Sequence, residues 1–265
     1  MSALKGKSLD FDDLREYAFG DDVRDIDWRA SARNQTPLVK RYVAHRRHNV
    51  LFVVDTSISM LAAAPDYQAK YQLATEVIGL LGYIAVKHND NVGLATLNES
   101  YEQVKCRGGE THLNRLLDLI ETSTTKSTGI TNVTELLTRA NSAAENQTIM
   151  VVIANEATPS EELTSILKKI KHRHDLLWVS IADINPASIP TQYNVMDVAE
   201  HLEIPEGLRG QEALIQSMYE EDLTRKAQLS DFLTALRITN SIISSTEDII
   251  PTLLAMLRRR EHERR

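Results

Sequence analysis

The stretch Asn49–Ser59, which reads NVLFVVDTSIS, decides the fold class. Its short apolar run is rich in β-branched residues and ends in one Asp and two Ser, a pattern typical of a buried strand that leads into a loop. From Asp66 to His88 the apolar residues recur at helical spacings, which predicts a long helix packed on the sheet. The stretch therefore indicates the first strand–loop–helix unit of an α/β domain.

The same alternation of strands and helices continues to the end of the chain. It indicates a doubly wound α/β fold from about Lys40 onward, with a mostly parallel sheet and helices on both faces. Further strands are predicted at Val92–Leu97, Tyr101–Cys106, Ile149–Ala154, Leu176–Ala182 and Ile238–Ser244, and further helices at Glu110–Thr122, Thr131–Glu145, Pro159–Lys171, Glu206–Arg225 and from Thr246. In such folds, ligands bind in the loops at the carboxyl ends of the strands.

The composition excludes several classes of protein. The 265 residues include 30 basic and 37 acidic side chains, for a formal charge of −7, and 42% are hydrophobic. A small net charge with this hydrophobic content excludes a disordered chain. The acidic balance predicts no nucleic-acid partner. A single cysteine, Cys106, excludes an internal disulfide and a multi-cysteine zinc site, and fits a reducing compartment. The longest apolar run, Val77–Val86, is about half of what a membrane-spanning helix needs, and the polar start has no secretory signal. We therefore expect a cytoplasmic protein without a membrane span.

Three loops at the predicted strand ends carry oxygen-bearing side chains. Asp55, Ser57 and Ser59 place a carboxylate and two hydroxyls within five residues. A second loop contains Thr131 before a predicted helix, and a third contains Asn155 after a predicted central strand. Hard cations such as Mg²⁺ prefer oxygen ligands and tolerate water in the shell. The loops therefore predict a cation site, although a short Asp/Ser cluster is also the ordinary composition of a helix cap.

These residues resemble the von Willebrand factor A-type domain with its metal-ion-dependent adhesion site. Asp55, Ser57 and Ser59 match the first loop of that site and Thr131 matches the second. The resemblance implies one divalent ion, Mg²⁺ or else Mn²⁺ or Ca²⁺. Ser57 and Ser59 would bind the ion directly, Thr131 directly or through water, and Asp55 would contribute charge through bound water. One position would stay open for a carboxylate of a partner protein.

The third loop departs from the family pattern. An Asp is usual there, and the nearest position in this chain is Asn155, followed by Glu156. A neutral amide removes one negative charge, which predicts weaker metal affinity than that of a full site. Two alternatives remain open at this point: Glu156 replaces the missing carboxylate, or the site is degenerate and holds no metal.

A second resemblance lies ahead of the domain. The segments Leu14–Tyr17 (LREY), Gly20–Trp28 (GDDVRDIDW) and Ser31–Arg33 (SAR) resemble the hallmark of a bacterial family, the domain of unknown function fifty-eight. Its members are typically encoded beside MoxR-type AAA+ ATPases. The resemblance implies an N-terminal family segment over residues 1–48, packed on a von Willebrand factor A-type domain over residues 49–265.

The charged family segment contains two large apolar residues. We expect Ile26 and Trp28 to dock while the surrounding charges pair, because a large aromatic side chain is usually at least partly buried. The alternative is that this segment forms the face that binds a partner.

Together the two resemblances imply a non-enzymatic, metal-dependent protein-interaction module that serves as an adaptor between a MoxR-type ATPase and client proteins. A metal-independent scaffold is the first alternative. The second is a Mg²⁺-dependent phosphatase-like hydrolase. That reaction needs a second Asp two residues after Asp55, where this chain has Ser57, and the sequence has neither a Gly-rich phosphate loop with Lys nor a G-x-S-x-G elbow.

The negative charge is concentrated in one part of the chain. Residues 197–222 contain eight acids and one base, so this stretch accounts for the whole net charge of −7. The pattern is typical of a solvated helix face. An acidic docking surface for a basic region of a partner is the alternative.

Overall fold

A computed structural model describes residues 8–45, 47–98, 100–145, 147–190, 192–193, 195–198, 203 and 211–263. The chain forms two compact units, residues 1–47 and residues 48–265.

The first unit is a two-stranded antiparallel sheet with a short helix. Strand β1 (Ser8–Glu16) pairs with β2 (Leu38–His45), and helix α1 (Trp28–Asn34) lies between them in sequence. Asp27 caps α1, because its Oδ1 accepts hydrogen bonds from the backbone N–H groups of the second and third residues after it, at 3.1 and 3.0 Å. The capping carboxylate also lies 3.7 Å from the Lys40 ammonium.

Trp28 does not dock within the first unit. Its side chain begins α1 and is 66% exposed, and Phe19 is fully exposed. The half-buried residue is Ile26, which forms a β-bridge with Val39. The predicted pairing of charges does occur, for example between Arg15 and Asp21. The expected packing of this segment on the second unit stays a prediction.

The second unit is built on a six-stranded sheet with the order β5-β4-β3-β6-β7-β8. Every neighbouring pair is parallel except β4 and β5, which form an antiparallel hairpin. This arrangement confirms the predicted doubly wound, mostly parallel sheet. The strands are β3 (Asn49–Asp55), β4 (Asn91–Leu97), β5 (Tyr101–Arg107), β6 (Ile149–Ala154), β7 (Asp175–Ile181) and β8 (Thr239–Ile243).

Helices cover both faces of this sheet. They are α2 (Lys70–Lys87), α3 (Glu110–Thr125), α4 (Val133–Ala143), α5 (Glu161–Arg173), α6 (Glu212–Ala235) and α7 (Thr246–Glu263). Helices α2, α3 and α7 pack on one face and α4, α5 and α6 on the other. The alternation of side chains along β3 supplies both cores, since Phe52 points into the first and Val53 into the second, and neither is exposed.

Helices α2, α4 and α5 begin later than the sequence predicts. Helix α4 begins at Val133 rather than Thr131, because Asn132 is its N-cap and accepts a hydrogen bond from the Glu135 N–H at 3.1 Å. Helix α2 begins at Lys70 rather than Asp66, because Tyr67 adopts a positive φ of 66° in a turn that a helix cannot include. Helix α5 begins after Pro159: Ser160 is its N-cap and accepts a hydrogen bond from the Leu163 N–H at 3.0 Å.

Helix α6 differs most from its predicted bounds. It begins at Glu212 and continues to Ala235, ten residues beyond the predicted end at Arg225. Residues 206–210, where the predicted helix starts, lie outside the described residues. They include Arg209 of the acidic stretch, and Glu200 of that stretch also lies outside the described residues. The extension past Arg225 places Leu229 and Leu233 in the core. In the part of the chain that the structure describes, no helix is both long and apolar enough to cross a membrane.

Candidate metal centre

The first loop of the predicted site follows the central strand β3. Asp55 ends this strand and is 3% exposed. Its Oδ1 accepts a hydrogen bond from the Ser57 N–H at 2.9 Å, which folds the loop back over the strand end. The hydroxyl oxygens of Ser57 and Ser59 are then only 2.8 Å apart. The loop therefore brings two hydroxyl oxygens together beside a buried carboxylate.

The second loop is joined to the first through the backbone. The Ile58 N–H donates to the Gly129 carbonyl at 3.0 Å. Thr131 lies two residues further on, and its hydroxyl donates to the Leu97 carbonyl, at the end of β4, at 2.6 Å. The proton of this hydroxyl is thus engaged, which leaves its lone pairs as the acceptors for a cation or a water molecule.

The third loop follows β6, the neighbour of β3 on the other side. The Asn155 Oδ1 accepts a hydrogen bond from the Glu156 N–H at 2.9 Å. Asn155 and Ser59 both line a cavity of about 600 Å³. The structure therefore places Asn155 at the same edge of the sheet as the first loop.

The carboxylate of Glu156 is held by helix α6. Its side chain is 3% exposed, and its Oε2 accepts a hydrogen bond from Arg225 Nε at 2.8 Å. The Lys226 ammonium lies 3.7 Å from Oε1, which is buried and has no hydrogen-bond partner. Glu156 would have to leave these two cations in order to replace the missing carboxylate of the third loop.

One ion pair at this edge was not predicted. Lys70, the first residue of α2, is 1% exposed, and its ammonium binds the Asp183 carboxylate. Both residues line the cavity that Ser59 and Asn155 share. Asp183 follows the apolar strand β7 just as Asp55 ends β3, and this repeated pattern is the signal by which the sequence could have indicated it.

The five predicted ligand residues fit a hard cation, but only one of them carries a charge. Asp55, Ser57, Ser59, Thr131 and Asn155 offer carboxylate, hydroxyl and amide oxygens, the ligand types that Mg²⁺ accepts together with water. Asp55 is the one carboxylate in this set. Within the described ranges, no group of three or more His, Cys, Asp or Glu residues is arranged to hold a metal. An ion here would therefore depend on neutral oxygens and retained water.

Similar proteins are found among uncharacterized mycobacterial sequences. The chain is 23% identical over 232 residues to Uncharacterized protein Rv1480 of Mycobacterium tuberculosis, a match that covers 85% of this chain and 73% of that protein. An uncharacterized protein of Mycobacterium bovis matches to the same extent.

Similar solved structures are more distant. BatB, a conserved hypothetical protein from Bacteroides thetaiotaomicron, is 13% identical with a TM-score of 0.47, over 80% of this chain and 99% of that one. A von Willebrand factor type A structure from Catenulispora acidiphila is 14% identical with a TM-score of 0.37, over 71% of this chain and 44% of that one. Likeness at this level says nothing about activity or ligands.

The match to a protein family covers most of the chain. The sequence matches the family described as Protein of unknown function DUF58 over residues 13–226, which include the GDDVRDIDW segment and the three loops of the candidate metal centre. The chain therefore belongs to the DUF58 family.

Proposed function

We propose that this protein is a non-enzymatic, metal-ion-dependent protein-interaction module. The observation that carries the proposal is the loop after β3, where two hydroxyl oxygens lie 2.8 Å apart beside the buried Asp55. This loop lies at the carboxyl end of β3, and ligands bind at the carboxyl ends of strands in doubly wound folds. Membership of the DUF58 family and the α/β fold are consistent with an interaction module.

Each residue of the set has a distinct role in this proposal. Ser57 and Ser59 bind the ion through their hydroxyl oxygens, and Thr131 offers a third hydroxyl from the loop joined to theirs. Asp55 supplies the negative charge, and its buried position keeps that charge close to the ion. Asn155 offers an amide oxygen. When bound, the divalent ion supplies a Lewis-acidic position that attracts a carboxylate of the partner.

The low charge of the set has two consequences. Binding of Mg²⁺ or Mn²⁺ is weak, because one carboxylate compensates half of the charge of a divalent ion. The ion keeps its remaining charge for an incoming ligand, so an Asp or Glu of the partner binds more strongly than it would at a fully neutralised ion.

The proposed partner is a MoxR-type AAA+ ATPase, together with client proteins that the module presents to it. The resemblance of residues 14–33 to the family hallmark supports this pairing. A metal-independent scaffold remains the second candidate, and one observation favours it: the Asn155 amide oxygen already accepts a hydrogen bond from the Glu156 N–H.

Binding to the ATPase tests both candidates. We would immobilise the full chain and measure binding of a MoxR-type AAA+ ATPase of the same organism, in Mg²⁺ and in a chelator. The double variant Ser57→Ala, Ser59→Ala removes both hydroxyls, and Ser142→Ala on α4 removes an exposed hydroxyl elsewhere. The metal-dependent account predicts binding that the chelator and the double variant abolish and Ser142→Ala preserves. Binding that survives both treatments would establish the scaffold instead.

A further inference from the structure

The cavity of about 600 Å³ extends well beyond the residues of the proposed metal centre. Ser59 and Asn155 form one part of its wall, and α6 contributes Met218, Glu221 and Arg225. The volume lies within the range of protein sites that enclose a small ligand or a few side chains. The proposed metal chemistry uses only the wall formed by Ser59 and Asn155, so the remainder of the cavity has no role in it.

The wall away from the metal residues combines apolar and charged side chains. Half of the described residues that line the cavity are apolar, among them Ile184, Ile189, Met196 and Met218. Met218 is half-buried and Met196 is 56% exposed. Methionine side chains adapt their shape to a ligand, so this wall suits a flexible aliphatic chain.

The charge on the same wall is negative. Among the described residues that line the cavity, four carry carboxylates, Asp183, Asp197, Glu221 and Asp222, and two carry cations, Lys70 and Arg225. Lys70 binds Asp183, and Asp222 accepts hydrogen bonds from both Arg225 and Lys226, so Asp183 and Asp222 are already compensated. The described lining thus has an excess of negative charge, which attracts a cationic group and disfavours an anionic one.

We propose that this cavity binds a lysine or arginine side chain of a protein partner. The aliphatic stem of that side chain would lie on Met196 and Met218, and its cationic head would lie near the Glu221 carboxylate. Lysine and arginine combine an apolar stem with a charged head, as this wall requires. The inference rests on the proposed function only in that the occupant belongs to a protein, and it requires no metal ion.

The position of the cavity extends the proposal to the sequence of the partner. Ser59 belongs both to the proposed metal centre and to the cavity wall. A single partner segment with an acidic and a basic residue close together would therefore reach the metal with its carboxylate and the cavity with its cation. This pairing distinguishes the expected partner segment from a purely acidic one.

The methionines allow a direct test by NMR on the full chain with labelled methionine methyl groups. The probe is arginine with an acetylated amine and a methylamide carboxyl end, titrated in a buffer that contains a chelator. We expect the Met196 and Met218 methyl signals to shift in a saturable way, while those of Met60, Met150 and Met256, which are not exposed at all, stay unchanged. The equivalent capped leucine should bind more weakly, because it lacks the cation.

Two variants on α6 provide a matched comparison. Glu221 lines the cavity, whereas Glu220 does not and its Oε1 accepts a hydrogen bond from Gln216. Glu221→Gln should weaken binding of the capped arginine by about threefold or more, and Glu220→Gln should leave it unchanged. Binding should also weaken as the salt concentration rises, since salt screens exposed charges.

Several results would overturn the proposal: the absence of a saturable shift, equal binding of capped leucine and capped arginine, or equal effects of the two variants. Tighter binding of putrescine than of capped arginine would assign the cavity to a free polyamine instead of a protein side chain. Because the titration contains a chelator, failure of the metal proposal would leave these results unaffected. Failure of the cavity proposal would likewise leave the metal proposal unaffected, because metal binding is measured in a separate titration.

Discussion

Glu156 Oε2 accepts a hydrogen bond from Arg225 Nε at 2.8 Å, across 69 residues of sequence. The carboxylate is 3% exposed, while the Arg225 side chain is 46% exposed. This contact joins the loop after β6, which carries Asn155, to helix α6, which lines the neighbouring cavity. The same residue that could replace the missing carboxylate of the metal centre is thus held by a helix of the cavity wall.

Removal of Arg225 should destabilise the fold. In Arg225→Gln the buried Glu156 carboxylate keeps only Lys226, at 3.7 Å, and we expect a loss of about 1–2 kcal/mol in the free energy of unfolding, reduced by the partial exposure of Arg225. Urea unfolding measures this value. Arg139→Gln, which breaks an exposed pair with Glu135, is the control and should cost less than about 0.5 kcal/mol. Equal losses in the two variants would show that Glu156 does not depend on Arg225.

The pair of Lys70 and Asp183 should respond unequally to the loss of either partner. Asp183→Asn leaves the ammonium of Lys70, which is 1% exposed, without a counter-charge, and should cost about 2–3 kcal/mol. Lys70→Met removes the buried charge and keeps an aliphatic chain of similar length, so its cost should stay below about 1.5 kcal/mol. Urea unfolding of both variants measures the two costs. A larger loss for Lys70→Met than for Asp183→Asn would contradict this account of the pair.

His174 should make the stability depend on pH. The residue is 6% exposed, and its Nδ1 accepts a hydrogen bond from the Thr148 N–H at 3.4 Å. Burial, with Arg173 nearby, lowers its pKa. The folded state therefore binds a proton less readily than the unfolded state, whose histidines titrate near pH ~6.5. The stabilising contribution of the neutral ring is complete above that pH, decreases as the pH falls below it, and is lost once the pH falls through the lowered pKa of the folded state.

Urea midpoints at about pH 7.5 and about pH 5.5 measure this effect. The drop in stability between them should be smaller in His174→Gln than in the natural sequence. His172→Gln, which changes an exposed histidine two residues earlier, serves as the control and should leave the drop unchanged. If His174→Gln and the natural sequence lose the same stability over this range, His174 is not the group responsible.

The sequence predicts the fold well because the pattern that specifies it is local. The run Val50–Val54 is short, apolar at every position and rich in β-branched residues, which favours a strand covered on both faces, and the structure confirms this. The order of residues likewise places Asp55 at the strand end, where the carboxyl ends of neighbouring strands meet. The convergence of Asp55, Ser57 and Ser59 on one loop follows from their spacing alone.

The charged contacts around that loop could not be predicted in the same way. Lys70 and Asp183 are 113 residues apart in sequence, and Glu156 and Arg225 are 69 apart. Whether such residues meet depends on the rotation of α2 and α6 about their axes and on how these helices pack on the sheet. A local periodicity in the sequence specifies neither the rotation of a helix nor its packing position. Trp28 shows a limit of residue type, which suggested burial, since this side chain is 66% exposed and does not dock within the first unit.

The metal centre itself is tested most directly by isothermal titration of the full chain with Mn²⁺ and then with Mg²⁺. The account predicts saturable binding of one ion at concentrations on the order of a millimolar, because the set contains a single carboxylate. The double variant Ser57→Ala, Ser59→Ala should lose this binding, and Ser142→Ala should retain it with an unchanged melting temperature. Absence of heat at millimolar ion with the natural sequence, or equal binding by the double variant, would contradict the proposed metal centre.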